Sequence, residues 1–181
     1  MSNYRVAVRY AKSLISLAIE QNKLEKVKTD IDMLNALCVE VRPFLNFLKN
    51  PIISNYKKLD VLKKLFENKI DELSYKFIEI VTRKNREDIL PEIGEEFLKE
   101  YRIFKNIEIV AITTPIELDE DLKNEFISLT RKIIGKEKKV ELKEDVDKDL
   151  LGGFILRIGD KQIDDSVSSK LRDLKKKLIV S

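Results

Sequence analysis

Side chains that could do chemistry are few in this sequence, and the first candidate is a lone thiol. The chain has 181 residues and no histidine, so the commonest general base and the commonest metal ligand are both absent. Every serine–histidine or cysteine–histidine nucleophile is absent with them. Cys38 is the single cysteine, which excludes a disulfide framework and a cysteine-rich zinc site. Because Cys38 lies beside Leu37 near an apolar helix face, we interpret it as a small buried hydrophobe.

A glycine pair and an aspartate pair are the other candidates. Gly152-Gly153 could cradle a phosphate, but no Gly-Lys-Ser or Gly-Lys-Thr follows, and the pair precedes a predicted strand rather than a helix. We interpret it as a tight entry into that strand. Asp164-Asp165 could be a metal or acid/base pair, but adjacent strand residues point to opposite faces, which favours a turn and helix cap. The sequence therefore predicts no catalytic site, no metal and no cofactor, and it indicates a protein that binds other proteins.

Charge and hydropathy exclude further classes of protein. The 35 basic and 32 acidic side chains nearly cancel to a net charge of +3, which disfavours a strongly basic nucleic-acid platform. No run of 18 or more apolar residues is present, so we expect no membrane span. The first residues also lack the features of a secretory signal. With one unpaired cysteine, a reducing cytoplasmic compartment is the expected location.

The first part of the chain is predicted to be helical, so helices must position any functional side chains in it. Apolar residues recur at three- and four-residue spacing through residues 1–105, which predicts a series of amphipathic helices. The six predicted helices cover residues 4–20, 22–41, 44–49, 55–66, 71–84 and 88–105. Short loops between them predict an antiparallel bundle. The first helix carries apolar residues on two stripes, so it needs partners on two sides.

The pattern changes at Asn106, where short β-branched runs begin to predict strands. The predicted elements are strands over 107–113, 140–143, 154–158 and 161–164, a helix over 119–134 and a final helix after residue 166. Gly159-Asp160 is the expected hairpin turn, and Ser166 is the expected cap of the final helix. The predicted fold is therefore mostly α, with a six-helix antiparallel bundle over 1–105 and a small α+β domain over 106–181.

Three segments of the sequence resemble one protein family. The first is an Arg-Tyr-Ala-Lys tetrapeptide, the second an Asn-Arg pair followed by Leu-Pro-Glu-Ile, and the third a glycine-containing stretch that runs into an Asp-Asp-Ser turn. The motif residues are Arg9, Tyr10, Asn85, Arg86, Leu90, Pro91, Gly152, Gly153, Gly159, Asp160, Asp164 and Ser166. Together they resemble the delta-subunit family of the F-type ATP synthases, which is related to the mitochondrial oligomycin-sensitivity-conferral protein. The family usually has glycine where this chain has Asp165, and aspartate tolerates the left-handed backbone that such a turn can need.

The resemblance implies a non-catalytic stator subunit. In this family the N-terminal bundle docks on the catalytic head and binds N-terminal helical segments of the alpha subunits between its first and fifth helices. The C-terminal domain contacts the ends of the peripheral-stalk b subunits. The resemblance thus implies one copy per complex, a monomer in isolation, and a peripheral position at the cytoplasmic face of a bacterial cell membrane. There, rotation couples ion translocation to ATP synthesis, and no nucleic acid is involved.

We assign the implied groove to apolar residues of the first and fifth helices, where small alanines would let a guest helix approach closely. The predicted lining residues are Ala7, Ala11, Leu14, Ile15, Ala18, Phe77, Ile78 and Val81. The same residues could instead be plain core, since most apolar helical residues are buried internally. The motif residues Arg9 and Tyr10 are candidates to orient the first helix.

Two other function classes stay open. A nucleic-acid or other protein-interaction adaptor could use the more basic helical part of the chain, and its affinity for nucleic acid would fall steeply with salt. The low net charge and the absence of tryptophan count against it. A carboxylate-dependent enzyme would need two acids that converge in a pocket, and no spacing in the sequence supports one.

Overall fold

The chain forms two compact units that divide between Tyr101 and Arg102. The computed structural model describes residues 3–135 and 137–180. The first unit is helical, and the second contains a four-stranded sheet together with helices. The predicted boundary at residue 105 lies slightly inside the second unit, because the last turn of the preceding helix belongs with it. The Nε atom of Arg102 in that turn lies 4.0 Å from a carboxylate oxygen of Glu141.

Helices fill the first unit, as the periodicity predicted. They are α1 (Asn3–Glu20), α2 (Leu24–Glu40), α3 (Arg42–Lys49), α4 (Asn55–Phe66), α5 (Glu72–Arg83) and α6 (Leu90–Phe104). A 3₁₀ turn over Glu87–Ile89 precedes α6, so this helix begins two residues later than predicted. Pro91 lies in its first turn, where the missing N–H has no helical partner to lose.

Asparagine, rather than glycine, ends several of these helices. The asparagines that follow α1, α4, α5 and α6 all have a φ between 52° and 64°, and they are Asn22, Asn68, Asn85 and Asn106. Asparagine enters the left-handed region more readily than most residues and can close a helix there. A chain with only five glycines can therefore still turn sharply after a helix.

The core of the first unit is apolar and draws on all six of these helices. Its fully buried side chains include Leu14, Val27, Ile31, Leu34, Leu48, Leu62, Phe66, Val81, Leu90, Ile93 and Phe97. Fully burying a large apolar side chain contributes about 2 kcal/mol. Cys38 is buried too, and burial raises the pKa of its thiol to about 11. The interpretation of Cys38 as a buried hydrophobe is confirmed.

One ion pair lies inside this core. Lys58 donates from Nζ to Oε1 of Glu87 at 2.6 Å and to the backbone carbonyl of Leu48 at 2.8 Å. Both charged side chains are more than nine-tenths buried. The pair ties α4 to the end of α3 and to the 3₁₀ turn before α6. Removing one partner would leave an uncompensated buried charge, at a cost of about 3–5 kcal/mol.

The second unit is a sheet covered by a helix on one face. Its elements are β1 (Ile107–Thr114), α7 (Glu120–Ile134), β2 (Lys139–Val146), a 3₁₀ turn (Lys148–Leu150), β3 (Ile155–Ile158), β4 (Lys161–Asp164) and α8 (Val167–Val180). The strand order is β2-β1-β3-β4. β1 is parallel to β2 and antiparallel to β3, and β3 pairs antiparallel with β4. Apolar side chains from the sheet, from α7 and from the segment between β1 and α7 form its core: Val110, Ile112, Leu118, Phe126, Ile134, Leu156 and Ile158.

Strand β2 is longer than the predicted strand over 140–143. It pairs in parallel with β1 along its whole length, from Lys139 opposite Ile107 to Val146 opposite Thr114. β2 is an edge strand of the sheet, and three successive charged residues, 143–145, lie near its C-terminal end. Backbone pairing therefore continues past the point where the apolar alternation stops, because a ladder needs no apolar side chain to continue.

The glycine pair before β3 packs against the turn that precedes α8. The Val167 N–H donates to the Gly152 carbonyl at 3.0 Å, and the Asp165 N–H donates to the Phe154 carbonyl at 2.9 Å. Gly153 has a φ of +76°, and a Cβ there would contact the carbonyl oxygen of Asp165 and lie 3.0 Å from the Cα of Ser166. No side chain fits between these two backbone segments, which agrees with a tight entry into a strand.

We expect Gly153→Ala to destabilise the second unit by about 2 kcal/mol or more, because the strained φ is combined with contacts to unyielding backbone. Gly159→Ala is the matched control, since Gly159 also has a positive φ (+54°) but the nearest atom to an added Cβ is a side-chain oxygen of Glu108 at 3.9 Å. For the control we expect only the conformational cost, about 1 kcal/mol. Urea unfolding followed by circular dichroism measures both, and equal losses would contradict the close packing.

Candidate functional site

The predicted groove residues lie mostly inside the first unit. On α1, Ala7, Ala11, Leu14, Ile15 and Ala18 are all buried, and on α5 Ile78 and Val81 are buried as well. Only Phe77 of the predicted set is half-buried. In the free chain, seven of the eight residues therefore belong to the core. A guest helix could contact their neighbours on the helix surface.

An apolar strip open to solvent flanks this buried set. Tyr10 on α1 meets Phe77 on α5 edge to face, with ring centroids 6.1 Å apart. Leu17, two turns after Tyr10, is 38% exposed, and Ile80, one turn after Phe77, is 52% exposed. Val6 is half-buried one turn before Tyr10. We call these five residues the α1/α5 strip.

The Asn-Arg motif acts at the end of α5 and reaches this strip. The N–H of Asn85 donates to the Thr82 carbonyl at 2.9 Å, and the N–H of Arg86 donates to the Val81 carbonyl at 3.2 Å. With Asn85 at a φ of 56°, this is a Schellman motif. It reverses the chain so that Arg86 donates from Nη1 to the Tyr10 hydroxyl at 3.1 Å. Two motif segments that lie far apart in the sequence thus meet in space.

The guanidinium of Arg86 also lies over the Tyr10 ring. Its Cζ is 5.6 Å from the ring centroid, within the range of a cation–π contact. Tyr10 therefore contacts α5 through Phe77 and the cap of α5 through Arg86. The sequence singled out Tyr10 and Arg86 separately, and spacing alone gave no sign that they are partners.

The remaining motif residues of the first unit have other surroundings. Leu90 is buried, Pro91 is half-buried in the first turn of α6, and Arg9 is exposed on α1. Lys12 at the end of the tetrapeptide forms an ion pair with Glu100 of α6 at 3.4 Å. The ion pair of Lys12 links α1 to α6, and it is separate from the Tyr10–Arg86 contact.

The motif of the second unit builds the N-terminal cap of α8. Asp164 accepts from the Ser166 N–H at 3.0 Å and from the Ser169 hydroxyl at 2.6 Å, and Ser166 Oγ accepts from the Ser169 N–H at 3.2 Å. The hydrogen bonds from Ser169 and Ser166 hold the pKa of Asp164 at about 2. Asp165 has a negative φ, so the left-handed backbone expected at this departure from the family pattern is not adopted. Its carboxylate instead pairs with Lys170 at 2.7 Å.

Gly159-Asp160 connects β3 to β4, as predicted from the turn pair. Gly159 has a φ of +54°, and both turn residues are exposed. The pairs Ile158–Lys161 and Arg157–Gln162 follow directly on either side of the turn. This motif therefore fixes the register of the hairpin that leads to the α8 cap.

A second exposed apolar surface follows this cap. Val167, Leu171 and Leu174 lie at positions i, i+4 and i+7 of α8 and are 39%, 53% and 56% exposed. Residues at this spacing share one face of a helix. We call them the α8 stripe. Because its exposed apolar side chains share one helix face, the stripe is a candidate surface for association.

Two structural features are absent from residues 3–135 and 137–180. No helix there is long and apolar enough to cross a membrane. Within the same residues, no three histidine, cysteine, aspartate or glutamate side chains are grouped as metal ligands would be.

Known proteins resemble this chain over nearly its full length. A family model described as "ATP synthase delta (OSCP) subunit" matches residues 6–178. ATP synthase subunit delta of Cytophaga hutchinsonii is 38% identical over 98% of this chain and 96% of its own length. The subunit delta of Amoebophilus asiaticus is 36% identical over 99% of this chain and 97% of its own length. A chain of the Toxoplasma gondii mitochondrial ATP synthase hexamer has a similar fold, with a TM-score of 0.71 over 96% of this chain, 97% of its own length, and 24% identity.

We expect the α8 cap to respond to acid with an unusually low midpoint. Because the folded-state pKa of Asp164 is depressed from 3.8 to about 2, the cap's stabilisation is complete above the ordinary pKa and is lost as the pH falls through about 2. An NMR titration of the Asp164 carboxyl carbon measures this. Ser169→Ala removes the largest cause and should move the midpoint upward. A midpoint near 3.8 in the unaltered chain would contradict the cap.

Proposed function

The chain belongs to the ATP synthase delta (OSCP) subunit family, and we propose that it is the stator link between the catalytic head and the peripheral stalk of an F-type ATP synthase. The observation that carries this proposal is that each unit has its own exposed apolar surface with helical spacing. One is the α1/α5 strip and the other is the α8 stripe. A link between two bodies needs two such surfaces, and it needs no catalytic group.

The first surface is proposed to bind N-terminal helical segments of the alpha subunits. Residues 1–105 would form the six-helix antiparallel bundle, with the guest helix laid along α1 and α5. The predicted set around Ala11 and Val81 is buried, so it shapes the walls from within. Contact with the guest is assigned to the α1/α5 strip, whose open residues are Leu17 and Ile80. An amphipathic helix in such a position gains affinity by burying apolar area.

The second surface is proposed to bind the ends of the b subunits. The domain over 106–181 would supply the α8 stripe, and b subunits that reach it as helices could pair with α8 side by side. The stripe repeats at four and then three residues, which is the spacing that two packed helices share. The cap at Asp164 and Ser166 fixes where α8 begins and therefore where the stripe lies.

The two surfaces reinforce each other mechanically. Once one partner is bound, the other contact becomes intramolecular and its effective concentration rises. A single copy can therefore hold the head against the rotor's torque with two contacts of ordinary size. In this proposal the chain works as a non-catalytic, peripheral component at the cytoplasmic face of a bacterial membrane, and the membrane is reached only through the complex.

A charge placed on the α1/α5 strip tests the first surface. We expect Ile80→Asp to weaken binding of a synthetic alpha-subunit N-terminal peptide at least tenfold, because the carboxylate must be desolvated against apolar side chains. Since Ile80 is 52% exposed, the stability of the free chain should change by less than about 0.5 kcal/mol. Isothermal titration calorimetry on the full chain gives the affinity.

Ile52→Asp is the matched control, because Ile52 is 90% exposed and lies outside the strip, between α3 and α4. Its affinity for the peptide should equal that of the unaltered chain. If Ile80→Asp binds the peptide as tightly as this control, the strip is not the alpha-subunit surface.

The α8 stripe is tested in the same way with a soluble fragment that contains the C-terminal end of the b subunit. We expect Leu171→Asp to weaken binding about tenfold or more, since Leu171 is the middle residue of the stripe. Leu122→Asp on α7 is the control, because Leu122 is also partly exposed and an acid suits the first turn of its helix. Equal affinities of the two variants in pull-down titrations would refute the assignment.

A further inference from the structure

Arg86 is a surface cation held in one position without a carboxylate partner. It makes a hydrogen bond to the Tyr10 hydroxyl and a cation–π contact with the same ring. In the part of the chain that the structure describes, it takes part in no ion pair. Its backbone is fixed as well, by the Schellman motif after α5. An exposed arginine with these two contacts beside an apolar strip still has N–H donors with which to bind an anion.

We propose that Arg86 is the carboxylate-binding residue of the α1/α5 strip, so that the helix docked there carries an acidic side chain beside its apolar face. The inference rests on the proposed function and adds the chemistry of the partner. Arg86 would bind the carboxylate while the strip binds the apolar face. Tyr10 belongs to the strip and is also a positioning residue for Arg86, so it acts on the partner's carboxylate through that side chain.

The hydrogen-bonding capacity of the guanidinium supports this role. A guanidinium has five N–H donors in a rigid fork that matches a carboxylate, and Nη1 of Arg86 gives one of them to Tyr10. The others are available because Arg86 is exposed. Because these contacts already hold the side chain in place, Arg86 loses less conformational entropy on binding than a free arginine would.

The charges around the strip favour an acidic partner. Arg9 on α1 and Lys84 at the end of α5 are both exposed, and neither forms an ion pair within the described residues. The acids of α5 are already committed, with Glu79 bound to Arg83 and Glu72 bound to Lys76.

Two further acids lie close to Arg86 in the sequence. Glu87 is buried with Lys58, so its carboxylate is neutralised inside the core. Asp88 is half-buried and forms no ion pair with Arg86 in the structure. The surface beside the strip therefore keeps a surplus of positive charge, which a carboxylate on the guest helix would neutralise.

The experiment is a double-mutant cycle with the full chain. The probe is a synthetic peptide of the alpha-subunit N-terminus, about 20 residues long so that it can form several helical turns. Each acidic residue of the peptide is changed singly to its amide, and every peptide is titrated into the unaltered chain and into Arg86→Gln. Lys57→Gln is the matched control, since Lys57 is an exposed cation on α4 with the same loss of charge.

We expect Arg86→Gln to weaken peptide binding about tenfold and to flatten its dependence on salt, while Lys57→Gln binds normally. One amide substitution in the peptide should weaken binding to the unaltered chain but have no further effect in Arg86→Gln. Arg86→Lys should restore only part of the affinity, because it keeps the charge and loses the fork. Tyr10→Phe should keep the cation–π contact, so its affinity for the peptide should fall less than that of Arg86→Gln.

The outcomes separate this inference from the function on which it rests. If the unaltered chain fails to bind any alpha-subunit peptide, the proposed first surface itself fails. The unaltered chain could instead bind the peptide, with every amide substitution lowering the affinity equally for that chain and for Arg86→Gln. In that case Arg86 recognises no carboxylate, and only its structural contact with Tyr10 remains. A variant that merely misfolds cannot imitate the expected result, because the cycle requires one peptide position to lose its effect while the others keep theirs.

Discussion

The contact of Tyr10 with Phe77 and Arg86 is the interaction on which the candidate surface of the first unit depends. It joins three separate stretches of chain: the middle of α1, the middle of α5 and the cap that follows α5. It therefore holds α1 against α5 and its cap beside the strip. The alanines of α1 are buried as well, so they leave the surface of the strip to the larger side chains.

The helical content and the position of the sheet could be predicted because apolar periodicity reports burial directly. It cannot show which element or partner covers a buried residue. The stripe around Ala11 reads identically whether α5, α6 or a foreign helix covers it, and in the structure the chain's own core covers it. The surface that stays open, at Leu17 and Ile80, belongs to the weaker second stripe of each helix. The partner of Tyr10 was hidden for a related reason, since a contact across 76 residues leaves no local pattern.

The second unit shows the same limit at the backbone level. The turn pair at Gly159 and the cap at Ser166 were predictable from residue type, because both depend on local geometry alone. The parallel pairing of β1 with β2 was not predicted, although a helix between two strands favours it, because the sequence analysis assigned no strand partners. Asp165 is instructive here. Its family position is usually glycine, yet a negative φ and a salt bridge to Lys170 accommodate aspartate without strain.

The buried pair of Lys58 and Glu87 has a consequence for how this sequence can change over generations. Replacing only one of the two residues leaves an unpaired charge in the interior. Replacing both with apolar groups of similar size can leave the stability nearly unchanged. We therefore expect substitutions at these two positions to be tolerated together rather than singly. A variant with only one of the two substitutions would be a less stable protein. The pair therefore restricts which substitutions the surrounding 3₁₀ turn and helices can accept.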